Sequence, residues 1–151
     1  MKQDLHIEQA HKKDLPPIRV LLQETDLPIE GIDEHIGNFL VIRSPEAVAG
    51  PEILIGCVGL EVYGSNALLR SLAVHPHRQG EGLGTQLVSH VTDLARKKGV
   101  TRLFLLTDTA EAFFRHLGYV VISRDKVPKP LLASIEFTKL CPSSPCLMRE
   151  I

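Results

Sequence analysis

Gln79-Gly80-Glu81-Gly82-Leu83-Gly84 sets glycine at every second position between an apolar run that stops at Pro76 and an amphipathic stretch that begins at Leu83. Residues of this kind bind anions with their backbone. Glycine lets the chain approach a ligand with no Cβ in the way. A helix start adds N–H groups without internal acceptors and a partial positive charge. The guest that suits such a turn is a diphosphate. Spacing narrows which one. The Walker phosphate loop asks for G-x-x-x-x-G-K-[ST], but Gly80 is followed five residues on by Thr85, and no Lys follows a closing Gly. The dinucleotide fingerprint asks for G-x-G-x-x-G, but after Gly82 and Gly84 the third glycine position is Leu87. What remains is Q-x-x-G-x-G, from Gln79 to Gly84.

Other reactive side chains point less sharply. His75 and His77 flank Pro76 at metal-ligand spacing, but the sequence supplies no third ligand to match, so they read as surface groups near the anion and no metal is expected. Cys57, Cys141 and Cys146 are an odd number without metal-finger spacing, which reads as free thiols in a reducing compartment. Soft thiolates favour soft ions such as arsenite. Cys57 lies in the apolar run Ile55-Gly56-Cys57-Val58-Gly59 and reads as core, which makes a three-thiol site the weaker reading.

These groups need a scaffold, and the chain has the means to build one. Its 151 residues are 44% hydrophobic, enough for a real core and consistent with a single domain over 1–151. With 17 basic and 18 acidic residues and no basic block, nothing points to nucleic acid or an anionic membrane. No apolar run is long enough to span a bilayer and Met1 to His6 has no signal-peptide core, so the expectation is cytoplasmic.

The pattern predicts alternating elements. A strand at Leu5–Ile7 precedes a helix capped by Asp14, entered through Pro16 and Pro17, carrying Ile18, Leu21 and Leu22 and stopping near Asp26 to Pro28. A short helix with Ile32 and Ile36 leads into a strand at Phe39–Ile42, and Ser44 to Pro51 reads as turn. Strands at Glu52–Tyr63 and Ala67–Val74 are joined by a Gly64-Ser65-Asn66 hairpin turn. The helix after the glycine turn presents Leu83, Leu87, Val91, Leu94 and Ala95 on one face and ends at Arg96-Lys97-Lys98-Gly99. Then come a strand at Arg102–Leu106, a helix with Ala110, Phe113, Phe114 and Leu117 closed by Gly118, a strand at Tyr119–Ser123, a helix within Lys129–Leu140 and a strand at Cys146–Arg149.

The turn after Leu-Ala-Val-x-Pro, and the order of elements around it, resemble the GNAT superfamily of N-acetyltransferases over nearly the whole chain. The stretch from Leu105 to Tyr119 is similar to the L-T-x-T-A-x-x-F-F-x-x-x-G-[FY] segment of members that act on amino acids, acetylglutamate synthase domains among them. Gly59 to Gly64, Leu68 to Leu72, Val127-Pro128 and the tail from Glu136 to Met148 resemble small GNAT proteins encoded near arsenic-resistance genes. The resemblance implies an α/β (α+β) fold with a mixed, mostly antiparallel central sheet, two splayed strands and flanking helices. It implies acetyl-CoA as cosubstrate and a small-molecule amine as acceptor, an amino acid or amino-acid-like toxin, and it leaves a homodimer open. By the same resemblance the backbone of Leu72, Ala73 and Val74 holds pantetheine. Gln79, Gly80, Gly82, Leu83, Gly84 and Thr85 surround the pyrophosphate, and Thr107 and Phe114 border the cofactor.

Direct transfer from a thioester asks for removal of an ammonium proton, stabilisation of an oxyanion and protonation of the leaving sulfur. In this fold Glu61 lies on a strand beside the cleft. Desolvated there, its carboxyl has a raised pKa and serves as base; a solvent-facing strand residue is the equal alternative. Arg70 alternates with Leu68, Leu72 and Val74, and its guanidinium suits an acceptor's carboxylate; a structural partnership with Glu61 is the alternative. Phe114 stands where many members carry a proton-donating Tyr, which leaves Ser71, Thr107 or water for that task. A protein acceptor, and a non-catalytic acyl-CoA or arsenite-responsive binding protein, stay open.

Overall fold

The computed structural model describes residues 5–44, 53–141 and 143–151. Its strands are β1 (Ile7–Gln9), β2 (Phe39–Arg43), β3 (Leu54–Tyr63), β4 (Asn66–Val74), β5 (Arg102–Leu106), β6 (Val120–Ile122) and β7 (Cys146–Glu150). They form one sheet in the order β1-β2-β3-β4-β5-β7-β6. The pairs β1–β2, β2–β3, β5–β7 and β6–β7 are antiparallel and β4–β5 is parallel, the mixed sheet that the sequence leads one to expect. The helices are α1 (Leu15–Glu24), α2 (Leu83–Lys97), α3 (Glu111–His116) and α4 (Lys129–Leu132). Most of the expected Ser44–Pro51 turn, and Glu52 at the expected strand start, lie outside the described residues. Among the described residues no helix is long and apolar enough to cross a membrane. The chain divides into two compact units, one of residues 1–60 and 71–93, the other of 61–70 and 94–151.

In the first unit Ile18, Leu21 and Leu22 of α1 are buried with Ile32, Ile36, Phe39, Val41, Leu54 and Cys57. Each fully buried aliphatic side chain contributes about 1.5–3 kcal/mol relative to exposure. Phe39 pairs with Gly59 across β2 and β3. A Cβ on Gly59 would sit 2.3 Å from the Phe39 ring, so glycine is what lets this ring lie across the strand. The α2 face holds as expected: Leu83, Leu87, Val91 and Ala95 are buried and Leu94 is half-buried.

Asp14 corrects an expectation. It stands at the start of α1, but its side chain does not cap the helix. A cap accepts from the N–H of the second or third helical residue, and here those are Pro16 and Pro17, which have none. The fully buried carboxylate instead accepts two hydrogen bonds from Arg43, at 2.6 and 2.9 Å, and one from the His11 N–H at 2.8 Å. Arg43 also pairs with Glu8. The Arg43 hydrogen bonds hold the Asp14 pKa below its ordinary value against the opposing push of burial. A carboxyl with a depressed folded pKa stabilises the fold above its unfolded value of about 4 and loses that contribution as pH falls through the folded value. Asp14→Asn is therefore expected to cost about 2 kcal/mol at neutral pH. The difference from wild type, read by urea titration, should shrink below about pH 4.

In the second unit β4 and β5 pair only at Asn66–Arg102, Ala67–Leu103 and Leu68–Phe104. The ladder stops there, although β4 runs on to Val74 and β5 to Leu106. Leu68, Phe104, Val127, Leu131, Phe137 and Cys146 form the core of this unit. The single helix expected within Lys129–Leu140 is instead two pieces, α4 and a π-type turn at Glu136–Leu140. The break falls at Ser134, whose carbonyl accepts from the Phe137 and Thr138 N–H groups and from the Thr138 hydroxyl, closing the start of the wider turn.

Candidate functional site

Two groups of residues carry chemistry, one in each unit. In the first unit β4 ends at Val74 and a 3-10 turn, Pro76–Arg78, turns the chain toward α2. The His75 N–H bonds the Ile55 carbonyl at 2.7 Å and the Arg78 N–H bonds the His75 carbonyl at 2.8 Å. Gln79 Nε2 donates back to the Val74 carbonyl at 3.1 Å, and Arg78 pairs with Glu81 at 2.9 Å. These contacts fix both ends of a turn whose middle is glycine. Gly80 and Gly82 take φ of 84° and 80°, the left-handed region, and nothing lies within 4 Å of a Cβ built on either. Gln79, Gly80, Glu81, Gly82 and Thr85 are exposed, Gly84 is half-buried, and Leu83 is buried as the anchor of α2. The first bond inside α2 runs from the Gln86 N–H to the Gly82 carbonyl, so the N–H groups of Leu83, Gly84 and Thr85 precede the helix ladder. Open space, left-handed glycines and a helix start give a backbone cradle that suits a diphosphate.

His75 belongs to the frame of this turn. Its Nδ1 accepts from the His77 N–H at 3.2 Å and its Nε2 lies 3.8 Å from Glu24. Among the described residues no group of three or more His, Cys, Asp or Glu is placed to hold a metal ion.

Upstream, Ser71 sits in β4 with φ of 59°. A non-glycine residue held in this region costs about 1–3 kcal/mol and persists where its surroundings over-determine it. The Ser71 carbonyl accepts from the Cys57 thiol at 3.3 Å. Ser71, Leu72 and Val74 are half-buried and Ala73 is buried.

The second unit gathers Glu61, Tyr63, Arg70, Ser134, Glu136 and Cys141. Glu61 Oε1 accepts from the Tyr63 hydroxyl at 2.5 Å and from Ser134 Oγ at 2.7 Å, and its Oε2 accepts from Arg70 at 2.8 Å. Arg70 Nε lies 3.6 Å from Glu136 Oε1. Glu136 Oε2 accepts from the Cys141 thiol at 3.4 Å, and the Glu136 N–H donates to Ser134 Oγ at 3.2 Å. Glu61 and Arg70 are both buried.

This geometry changes the expectation for Glu61. Burial pushes its pKa up, but hydrogen bonds from Ser134, Tyr63 and Arg70, with the guanidinium charge, outweigh burial and leave it below the ordinary value. The raised pKa expected from desolvation is not found, because burial here comes with three donors. Tyr63 is held protonated, its pKa raised by burial and by the Glu61 carboxylate. Arg70 is the partner of Glu61, the alternative that its strand position left open.

Thr107 and Phe114 are also placed. Thr107 Oγ1 accepts from the Ala110 and Thr109 N–H groups, at 3.0 and 3.4 Å, and so holds the entry to α3. Phe114 is buried edge-on against Phe113 and Tyr119, with ring centroids 5.0 and 5.4 Å away. Burial pushes the Cys57 thiol up to about 12 and those of Cys141 and Cys146 to about 11, so all three are thiols near neutral pH.

Sequence reasoning missed Tyr63, Ser134 and Glu136. One signal was available: Glu136 stands between Ile135 and Phe137, as Glu61 stands between Leu60 and Val62, a carboxylate in apolar company that needs a partner.

Comparison with known proteins agrees with the fold and gives the family. A family model of the GNAT acetyltransferase domain matches residues 36–121. The amino-acid acetyltransferase of Neisseria meningitidis serogroup A is 30% identical over 132 residues, which are 82% of this chain and 29% of that protein. The amino-acid acetyltransferase of Mycobacterium tuberculosis is 27% identical over 144 residues, 91% of this chain and 78% of that one. The structure of N-acetylglutamate synthase from Neisseria gonorrhoeae, complexed with coenzyme A and N-acetyl-glutamate, matches with a TM-score of 0.81 and 27% identity, over 99% of this chain and 36% of that one. This chain thus spans about a third or less of the length of the Neisseria proteins. It belongs to the GNAT acetyltransferase family.

Proposed function

We propose that the protein is an acetyl-CoA-dependent N-acetyltransferase that moves an acetyl group directly to the amine of a small molecule, an amino acid or an amino-acid-like compound. The chain from 1 to 151 is read as one catalytic domain. The observation that carries the reading is the turn from Val74 to Thr85, with its left-handed Gly80 and Gly82 and the free helix start behind them. A diphosphate fits there, and coenzyme A is the diphosphate that the Neisseria gonorrhoeae relative holds. Gln79, Gly80, Gly82, Leu83, Gly84 and Thr85 take the pyrophosphate, and the backbone of Leu72, Ala73 and Val74 takes pantetheine.

The acceptor assignment rests on the names of the relatives and on the buried Glu61–Arg70 pair. Glu61 acts as the anchor that orients Arg70, and Arg70 faces the acceptor's carboxylate. In the transfer the ammonium loses one proton to solvent or a nearby carboxylate and attacks the thioester carbonyl. The C–N bond forms and the C–S bond breaks, with its electron pair leaving on sulfur. The second amine proton ends on that sulfur, delivered by the Ser71 or Thr107 hydroxyl or by water.

One observation favours a second reading, a binding protein for acyl-CoA. Phe114 has no proton to give and is packed between two other rings. The test is to incubate the protein with acetyl-CoA and a panel of amino acids, amino-acid analogues and peptides, and to follow acetylated products by mass spectrometry. Turnover of a carboxylated small amine supports the enzyme. Acetylated peptide alone supports a protein acceptor, and tight acetyl-CoA binding without product supports the binding role.

A further inference from the structure

Cys57 is fully buried and the transfer described above does not use it, yet it touches the strained residue of β4. Its thiol donates to the Ser71 carbonyl at 3.3 Å. Burial pushes the thiol up to about 12, against a smaller opposing pull from a hydrogen bond with the Ala73 backbone. The proton therefore stays on sulfur across the neutral range, and the donor to Ser71 persists.

Ser71 stands at φ of 59° inside a strand. Passing from the extended to the left-handed region turns the peptide planes that follow. This one residue thus sets how the N–H and C=O groups of Leu72, Ala73 and Val74 are aimed. Such a conformation persists where its surroundings hold it. Three consecutive residues of β3 supply a hold. Cys57 bonds Ser71 at one end of the segment, and the Ile55 carbonyl accepts from the His75 N–H at 2.7 Å at the other. Between them lies Gly56, where a Cβ would come within 3.2 Å of the Ala73 carbonyl, so the two strands approach closely here.

We propose that Cys57 is a positioning residue for the cofactor: its thiol steadies the left-handed Ser71 and so aims the backbone of Leu72, Ala73 and Val74 at pantetheine. This rests on the reading that this backbone takes pantetheine. It gives a buried thiol a task that packing alone does not require, a hydrogen bond to a carbonyl turned by strain. Serine at this position keeps a donor, while alanine keeps none.

The test measures two ligands by calorimetry. One is acetyl-CoA. The other is the adenosine phosphate half of coenzyme A, which keeps the diphosphate and lacks pantetheine. The proteins are wild type, Cys57→Ala, Cys57→Ser and Val41→Ala. Val41 pairs with Cys57 across β2 and β3 and shares its core, so its truncation reports lost packing alone. Cys57→Ala is expected to raise the Kd for acetyl-CoA about tenfold, the order of one hydrogen bond, and to leave the Kd for the nucleotide unchanged. Cys57→Ser is expected to bind acetyl-CoA nearly as wild type does, even where a hydroxyl in the core lowers its Tm. Val41→Ala is expected to lower Tm and leave both Kd values unchanged. An unchanged acetyl-CoA Kd in Cys57→Ala overturns the proposal and leaves the acetyltransferase standing. So does an equal weakening of both ligands, a Cys57→Ser as weak as Cys57→Ala, or a matching loss of affinity in Val41→Ala. If Cys57→Ala does not fold, Cys57→Val, which fills the space and offers no donor, is read in its place: weakened acetyl-CoA binding supports the proposal and unchanged binding overturns it. A wild type that binds neither ligand overturns the proposal together with the cofactor reading.

Discussion

Arg70→Ala is expected to lower the stability of the protein by about 3–5 kcal/mol, because it leaves the buried Glu61 carboxylate without its counter-charge. Glu61 would keep the Tyr63 and Ser134 hydroxyls, which share its other oxygen, and lose the guanidinium on Oε2. Glu61→Gln in the same background is expected to recover part of the loss, since an amide needs no counter-charge, and the cycle of single and double variants isolates the coupling. The effect has a defined pH dependence. In wild type the folded pKa of Glu61 lies below its ordinary value, so its contribution is present above the unfolded value of about 4.3 and fades as pH falls through the folded one. The gap between wild type and Arg70→Ala, measured by urea titration, should be full at pH 7 and narrow toward acid. A gap that does not change with pH, or a loss below about 1 kcal/mol, would mean that the pair contributes like an ordinary surface ion pair.

Gly82→Val is expected to weaken acetyl-CoA binding by about 10- to 100-fold, from the roughly 1–2 kcal/mol that a left-handed L-residue costs and the further strain of a β-branched one. The space around a Cβ at this position is open, so the penalty comes from the backbone at φ of 80°. The chain relieves it by turning the peptide, which swings an N–H away from the place where a phosphate oxygen would sit. Thermal stability should fall far less than affinity, since Gly82 is exposed and the α2 anchor Leu83 stays buried. Calorimetry with acetyl-CoA reads the first effect and a melting curve the second. Unchanged affinity would remove the turn from the binding site.

What the sequence made legible follows from how local the cause is. The glycine turn, the α2 face and the hairpin between β3 and β4 are set by neighbours in sequence, and each stands where the residues place it. The Asp14 cap failed for an equally local reason, two prolines without N–H groups, and the partner that replaced the cap, Arg43, lies on another element. The Glu61 cluster needed contacts across many residues. Arg70 reaches Glu61 only through strand register, and Ser134 reaches it across a separation of 73 residues. The segment that brings Ser134 and Glu136 there breaks its helix after Leu132 and resumes as a wider turn, a change that apolar spacing does not encode. The pKa of Glu61 was misjudged for the same reason: burial could be inferred from Leu60 and Val62, while the donors could not. Phe114 was legible as a departure from the family, and the structure adds that the position is a packed ring.

The most direct measurement is a time course with acetyl-CoA carrying a carbon-13 acetyl group, an amino-acid acceptor and wild-type protein, with intact-protein and small-molecule mass spectra taken together. The account expects every label lost from acetyl-CoA to appear on the amine nitrogen of the acceptor. None should accumulate on Cys57, Cys141 or Cys146, whose thiols are held protonated by burial. Label held on a cysteine before it reaches the amine would contradict direct transfer, and acetyl-CoA that stays bound and unspent with every amine would contradict the enzyme itself.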